Sequence, residues 1–230
     1  MPDWPPPYTI KKSLNSKRIS LRISSSKGLV IVIPKRESQK RAIEFLNSKF
    51  NWVQKHLHLL QSKNNLITVP ETVFLCSINE TWTIDYSPEM GCRAIIGCDE
   101  QQKRIRLKGP IEATIPLLKK WLRTKATRHL LSMLEECSQK IGLPYNLAKV
   151  RYQTSRWGSC SKAKNISLNC KLLLLPFEIT RYVIVHELVH TIVFDHSALF
   201  WKEVARIIPD YKALRQQLKT IEQQLPNWVY

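Results

Sequence analysis

Residues Pro176 to Val193 read P-F-E-I-T-R-Y-V-I-V-H-E-L-V-H-T-I-V, and this stretch decides the fold. Pro176 can open a helix because its missing N–H needs no partner there. Val183, Ile184, Val185, Leu188, Val189 and Ile192 make the segment apolar on almost every side, so the helix is expected in a core. His186 and His190 stand four residues apart, on one helical face and about 6 Å apart along the axis, so both imidazoles can reach one metal ion. Glu187 is turned round the helix, where its carboxylate can reach a water on that metal without ligating it, as water-activating zinc peptidases require. A buried helix bearing these three groups leaves polar atoms in need of partners, and a metal with its water satisfies all three. In a chain with six His, chance alone would produce roughly 0.01 H-E-x-x-H matches.

A catalytic zinc takes three protein ligands and keeps one position open. His196 follows His190, but a helix continued to it would rotate it by about 240° and carry it about 9 Å along the axis. The helix must therefore end near Val193. Peptidases of the metzincin pattern place a Gly at that midpoint, so Val193 argues against that pattern. Glu203, in the helix-like run S-A-L-F-W-K-E-V-A-R-I-I, competes with His196 as third ligand, and spacing alone leaves both open.

Five blocks carry a resemblance: R-W-G-S-C-S (Arg156 to Ser161), N-I-S-L-N (Asn165 to Asn169), Y-V-I-V-H-E-L-V-H (Tyr182 to His190), D-H-S-A-L-F-W (Asp195 to Trp201) and P-D-Y-K (Pro209 to Lys212). In order and spacing they resemble the YgjP-like metallopeptidase family, and more distantly the SprT-like zinc proteases. The opening run from Y-T-I-K-K-S to G-L-V-I-V-I-P is similar to that family's opening, so the resemblance covers nearly the whole chain. It implies one zinc held by His186, His190 and His196, with Glu187 as general base, and so favours His196 over Glu203. Asp195 stands where an Asn is expected and Thr191 where an aliphatic residue is usual; neither removes a ligand.

The chain has 230 residues, 43% of them hydrophobic, enough for a real core. Its opening, M-P-D-W-P-P-P, has neither a basic nor an apolar leader region, and no apolar run reaches the roughly 18 residues of a membrane span. A cytoplasmic protein with no membrane partner is expected. The six Cys form no C-x-x-C pair, which points to free thiols. Net charge is +18, and its distribution matters more than its size. Residues 1–70 hold thirteen basic and three acidic side chains, residues 101–175 sixteen and three, and residues 176–230 six of each. The metal-binding third is neutral, while the flanking parts could attract nucleic acid without sequence preference.

Alternating stretches between Tyr8 and Pro34 suggest a β-hairpin closed by Gly28, and Ser38 to Ser62 has helical spacing, with His56 and His58 read as surface or packing residues. Three further strands are expected before Gly109-Pro110, and one long helix from Ile111 to Ile141, stopped by Gly142-Leu143-Pro144. Lys149 to Ser155 and Asn165 to Leu168 read as strands flanking the loop that holds Arg156 and Trp157. An edge strand there can bind a peptide through its backbone. Arg156 is a candidate for oxyanion or substrate binding, and Trp157 suits a cleft wall as well as a core. Ser197 and Asp210 stand where they can cap two final helices.

The expected protein is α+β: a basic β-rich module with one helix over residues 1–109, then a zincin-like catalytic domain over 110–230. It is read as a zinc (Zn2+) metallohydrolase, most simply a peptidase acting on protein or peptide. The competing readings are a metal-stabilised nucleic-acid-binding protein without chemistry and a hydrolase of a non-peptide amide. Glu187 favours chemistry, because a purely structural zinc site is closed by four ligands.

Overall fold

The computed structural model describes residues 4–14, 16, 18–24, 28–54, 57, 68–89, 91 and 93–230. The chain is α+β and divides into two compact units, residues 1–67 and 68–230. In the first, strands β1 (Tyr8–Ser13), β2 (Ser20–Ser24) and β3 (Gly28–Pro34) form one sheet in the order β1-β3-β2. β2 and β3 make the expected antiparallel pair, with Ser24 opposite Gly28, and β1 adds to the other edge of β3 in parallel. Leu29, Ile31 and Ile33 lie on one face of β3, as period-2 alternation requires, and pack with Ala42 and Leu46 of α1 (Gln39–Ser48) and with Val53. The helix expected to reach Ser62 breaks at Lys49 and resumes over 50–54; His56, His58 and Leu60 lie outside the described residues.

The second unit opens with β4 (Thr72–Leu75), β5 (Glu80–Ser87), β6 (Ile95–Asp99) and β7 (Arg104–Lys108), a sheet in the order β4-β5-β7-β6. The long helix α2 spans Ile111–Ile141, as its periodicity predicts, and Gly142 ends it in the left-handed conformation at φ 69°. The division at 67/68 differs from the boundary expected at Gly109-Pro110, and the packing gives the reason. Gly109 is buried at φ 114°, accepts a hydrogen bond from the Tyr86 hydroxyl at 3.0 Å, and would drive a Cβ to 2.9 Å from the Ala94 Cα. The expected boundary is a tight junction. Across it, the fully buried Trp82 meets Trp121 edge to face at 5.2 Å, and Val73, Leu75, Ile105 and Leu107 share one core with Leu118 and Leu122.

That core continues into the rest of the unit. β8 (Ala148–Arg151), β9 (Gly158–Cys160) and β10 (Ile166–Asn169) form a sheet with β10 in the centre, parallel to β8 and antiparallel to β9. A 3-10 turn over Cys170–Leu174 leads into α3 (Phe177–Val189), where the Thr180 hydroxyl donates to the Leu172 carbonyl at 2.8 Å. Then follow α4 (Ala198–Ile207) and α5 (Tyr211–Gln224). Ser197 and Asp210 occupy their N-cap positions, but neither side chain makes the expected cap hydrogen bond. No helix among the described residues is long and apolar enough to cross a membrane.

This packing predicts where the chain can be cut. Residues 68–230 expressed alone should unfold in one cooperative thermal transition followed by circular dichroism, whereas residues 110–230, stripped of the sheet that covers Trp121, Leu118 and Leu122, should show no cooperative transition. A cooperative 110–230 would contradict the shared core.

Candidate metal centre

α3 is buried on almost every side: Ile179, Tyr182, Val183, Ile184, Val185, Leu188 and Val189 all belong to the core. His186 and His190 share one face of it. The helix ends at Val189 with His190 as its C-cap, four residues before the expected Val193. Thr191 donates to the Leu188 carbonyl at 2.9 Å, and Ile192 and Val193 donate to the Val189 carbonyl at 3.1 and 3.0 Å, so the chain turns sharply away from the helix axis. No residue from His190 to His196 has a positive φ, which is why the turn needs no glycine at Val193.

The turn brings His196 back. One ring nitrogen from each of His186, His190 and His196 lies within 4.8 Å of the others, and the Nε2 atoms of His186 and His196 are 3.2 Å apart. The Nδ1 of His190 lies 3.0 Å from the Val193 carbonyl, which accepts only if Nδ1 carries the proton; this frees Nε2 for a ligand. Phe200 stacks on His190 at 4.4 Å and meets the edges of His186 and His196 at 4.8 and 4.9 Å, so one fully buried ring braces all three imidazoles. Trp201 stacks on His196 at 5.7 Å and on Tyr211 at 5.3 Å, with the Arg215 guanidinium over its own ring. These aromatic supports are not evident from the sequence, where Phe200 and Trp201 fit a helix core equally well. Their i, i+1 position just after His196 was the available signal. Leu199, beside them on the same helix, is exposed.

The electrostatics suit a cation. Burial, reinforced by His190 and His196, pushes the His186 imidazolium down to about 3, and burial lowers His190 as well, which favours the neutral form that a metal needs. Glu187 is only 5% exposed; burial pushes it up to about 8, opposed by the charge of Arg156, and its Oε2 has no hydrogen-bond partner. A buried carboxylate with an orphan oxygen beside three converging imidazoles is a donor set that fits a divalent ion with a water in reach of the acid.

The edge strand β9 stands against Glu187. A Cβ built on Gly158 would lie 2.5 Å from Glu187 Oε1 and 2.7 Å from its Cγ, so only glycine lets the backbone approach the carboxylate so closely. Asn169, almost fully buried, fixes the loop that delivers Gly158: its side-chain amide donates to the carbonyls of Gln153 at 2.9 Å and Arg156 at 2.8 Å, while its Oδ1 accepts from the Lys171 N–H at 3.1 Å. Gly158, Ser159, Cys160, His186, Glu187, His190, Phe194 and His196 together line an open cleft of about 250 Å³.

Of the remaining candidates, Glu203 is turned away, accepting from Arg206 at 3.0 Å, and takes no part in the histidine cluster. Arg156 is exposed and acts on Glu187 through its charge. Trp157 packs against the core, with the Lys171 ammonium 5.8 Å from its ring centre, and is not among the residues lining the cleft. The described cysteines are all free; Cys92 lies outside the described residues.

Among curated proteins none matches the chain. The chain is similar to a solved structure, the crystal structure of the metallopeptidase zymogen of Pyrococcus abyssi abylysin, at 26% identity, over 41% of this chain and 95% of that one, with a TM-score of 0.38. The profile of the YgjP-like, metallopeptidase domain family matches residues 17–221, from the first sheet to the last long helix, and the chain belongs to that family.

Proposed function

We propose that the chain is a zinc-dependent peptidase with a zincin-like core, in which His186, His190 and His196 hold the ion and Glu187 is the general base. The observation that carries this reading is the orphan Oε2 of Glu187, buried beside three imidazoles. A zinc ion with three imidazole ligands and one open position supplies Lewis acidity and brings the pKa of water towards about 7. Glu187, lining the cleft beside the three imidazoles, is placed to accept the proton of the attacking water and to pass it to the leaving nitrogen. Gly158 holds the carboxylate against the β9 backbone. Among the described residues β9 is paired with β10 alone, so its other edge can take an extended peptide in register, which favours a peptide over a non-peptide amide. A structural metal site without chemistry would leave Glu187 without a purpose for its costly burial.

Glu187→Gln keeps size and hydrogen bonding but removes the base, so zinc content should be unchanged while peptide hydrolysis falls by about 10²-fold or more. Gly158→Ala should also retain zinc, yet lower kcat, because the new methyl displaces the Glu187 carboxylate. Equal activity of either variant in a fluorogenic peptide assay would contradict the role given to Glu187.

We further infer that the first unit meets polyanions, since residues 1–67 hold thirteen basic and three acidic side chains. Binding of the full chain to duplex DNA, followed by fluorescence anisotropy, should weaken with salt by about 0.9 in the log–log slope per phosphate contacted and show little sequence preference. Absence of salt-sensitive binding at low ionic strength would reduce this charge to a solvated surface.

A further inference from the structure

Among the described residues that line the cleft, Phe194 is the one large apolar side chain, and it stays 52% exposed. Its position is not free to relax. On one side the Val193 carbonyl is held by His190 Nδ1 at 3.0 Å; on the other the Asp195 carboxylate accepts the Ser197 N–H at 3.1 Å. The two bonds fix the backbone on both sides of Phe194, so the geometry that orients His190 also keeps the phenyl ring at the cleft instead of in the core. The facing strand offers no charge. Gly158 and Ser159 present backbone and a hydroxyl, and burial, with Glu187 nearby, pushes the Cys160 thiol up to about 11, so it stands there as a small neutral group. Apart from Glu187 and the three histidines, no ionisable side chain other than this neutral thiol lines the cleft among the described residues. Beyond the reaction centre itself, a charged substrate side chain entering it would lose water and gain no counter-charge.

We propose that Phe194 and the β9 strand form a substrate subsite, and that the chain takes an extended peptide carrying an aliphatic or aromatic side chain next to the scissile bond. This rests on the peptidase reading above and names the substrate class. The peptide backbone lies along the free edge of β9, and the apolar side chain covers the exposed face of the Phe194 ring. Ile192, also half-exposed at 47%, is not among the cleft-lining residues and plays no part.

The test uses the full-length zinc-loaded protein and a set of peptides differing at one residue: Leu, Phe, Ala, Ser, Asp or Lys next to the cleaved bond. Leu and Phe peptides should be cleaved with kcat/KM about 10-fold or more above Ser, Asp and Lys peptides, since apolar pockets discriminate by roughly 10- to 200-fold per group. Phe194→Ser should lower kcat/KM for the Leu and Phe peptides and compress that preference to within about 3-fold, with zinc content unchanged; Ile192→Ser should leave the preference as it is. In parallel, the Kd values of the same peptides for the zinc-loaded Glu187→Gln protein should show the same Phe194-dependent order without turnover. Cleavage without apolar preference, or a preference that survives Phe194→Ser, overturns the subsite and leaves the peptidase reading standing. No cleavage of any peptide together with Phe194-dependent apolar binding overturns the catalytic reading and supports the subsite. Neither cleavage nor apolar-selective binding overturns both.

Discussion

A carboxylate buried without a partner is the constraint on which the second unit depends. Glu187 sits on a helix that is apolar almost all round, and leaving a charge there uncompensated would cost several kcal/mol. Its surroundings do not compensate it with an ion pair. Gly158 lets the backbone come close to it, Arg156 acts from the surface, and the residue lines a cleft with three imidazoles while its Oε2 stays unpartnered. Glycine at 158 and the hydrogen bonds of Asn169 that hold the preceding loop follow from the need to seat this one side chain beside an edge strand.

The histidines obey a second demand: to converge. Burial lowers the proton affinity of His186 and His190, so the same packing that stabilises the helix favours the neutral form that could hold a metal. Convergence is made by a turn in ordinary right-handed and extended backbone, closed by the His190 to Val193 hydrogen bond, and by Phe200, whose single ring touches all three imidazoles. The rigid turn has the further effect of presenting Phe194 to the cleft. In the proposed reading, ligand orientation and substrate contact are thereby both built from one short segment, residues 190–201.

Much of this was legible in the residues. The i, i+4 histidines and the apolar envelope of α3 are local, periodic signals, and so is the span of α2 with its glycine stop. What escaped were features that depend on distant partners. Spacing could not choose between His196 and Glu203, because the choice lies in a turn closed by side-chain-to-backbone bonding. β9 is three residues long and too short for an alternating pattern, so it reads as loop although it stands beside Glu187. Gly109-Pro110 carries the composition of a linker, yet Trp82 and Trp121 join the segments on either side of it into one core. Ser197 and Asp210 fit the cap positions by type, but no cap bond forms.

The central claim is that three imidazoles hold one zinc and leave a position open beside Glu187. X-ray absorption at the zinc edge on the metal-loaded protein tests it most directly. Three nitrogen scatterers at about 2.0–2.1 Å with imidazole outer shells, and one light oxygen scatterer, are the predicted result. A sulfur shell at about 2.3 Å from a cysteine, or fewer than three imidazoles, would contradict it.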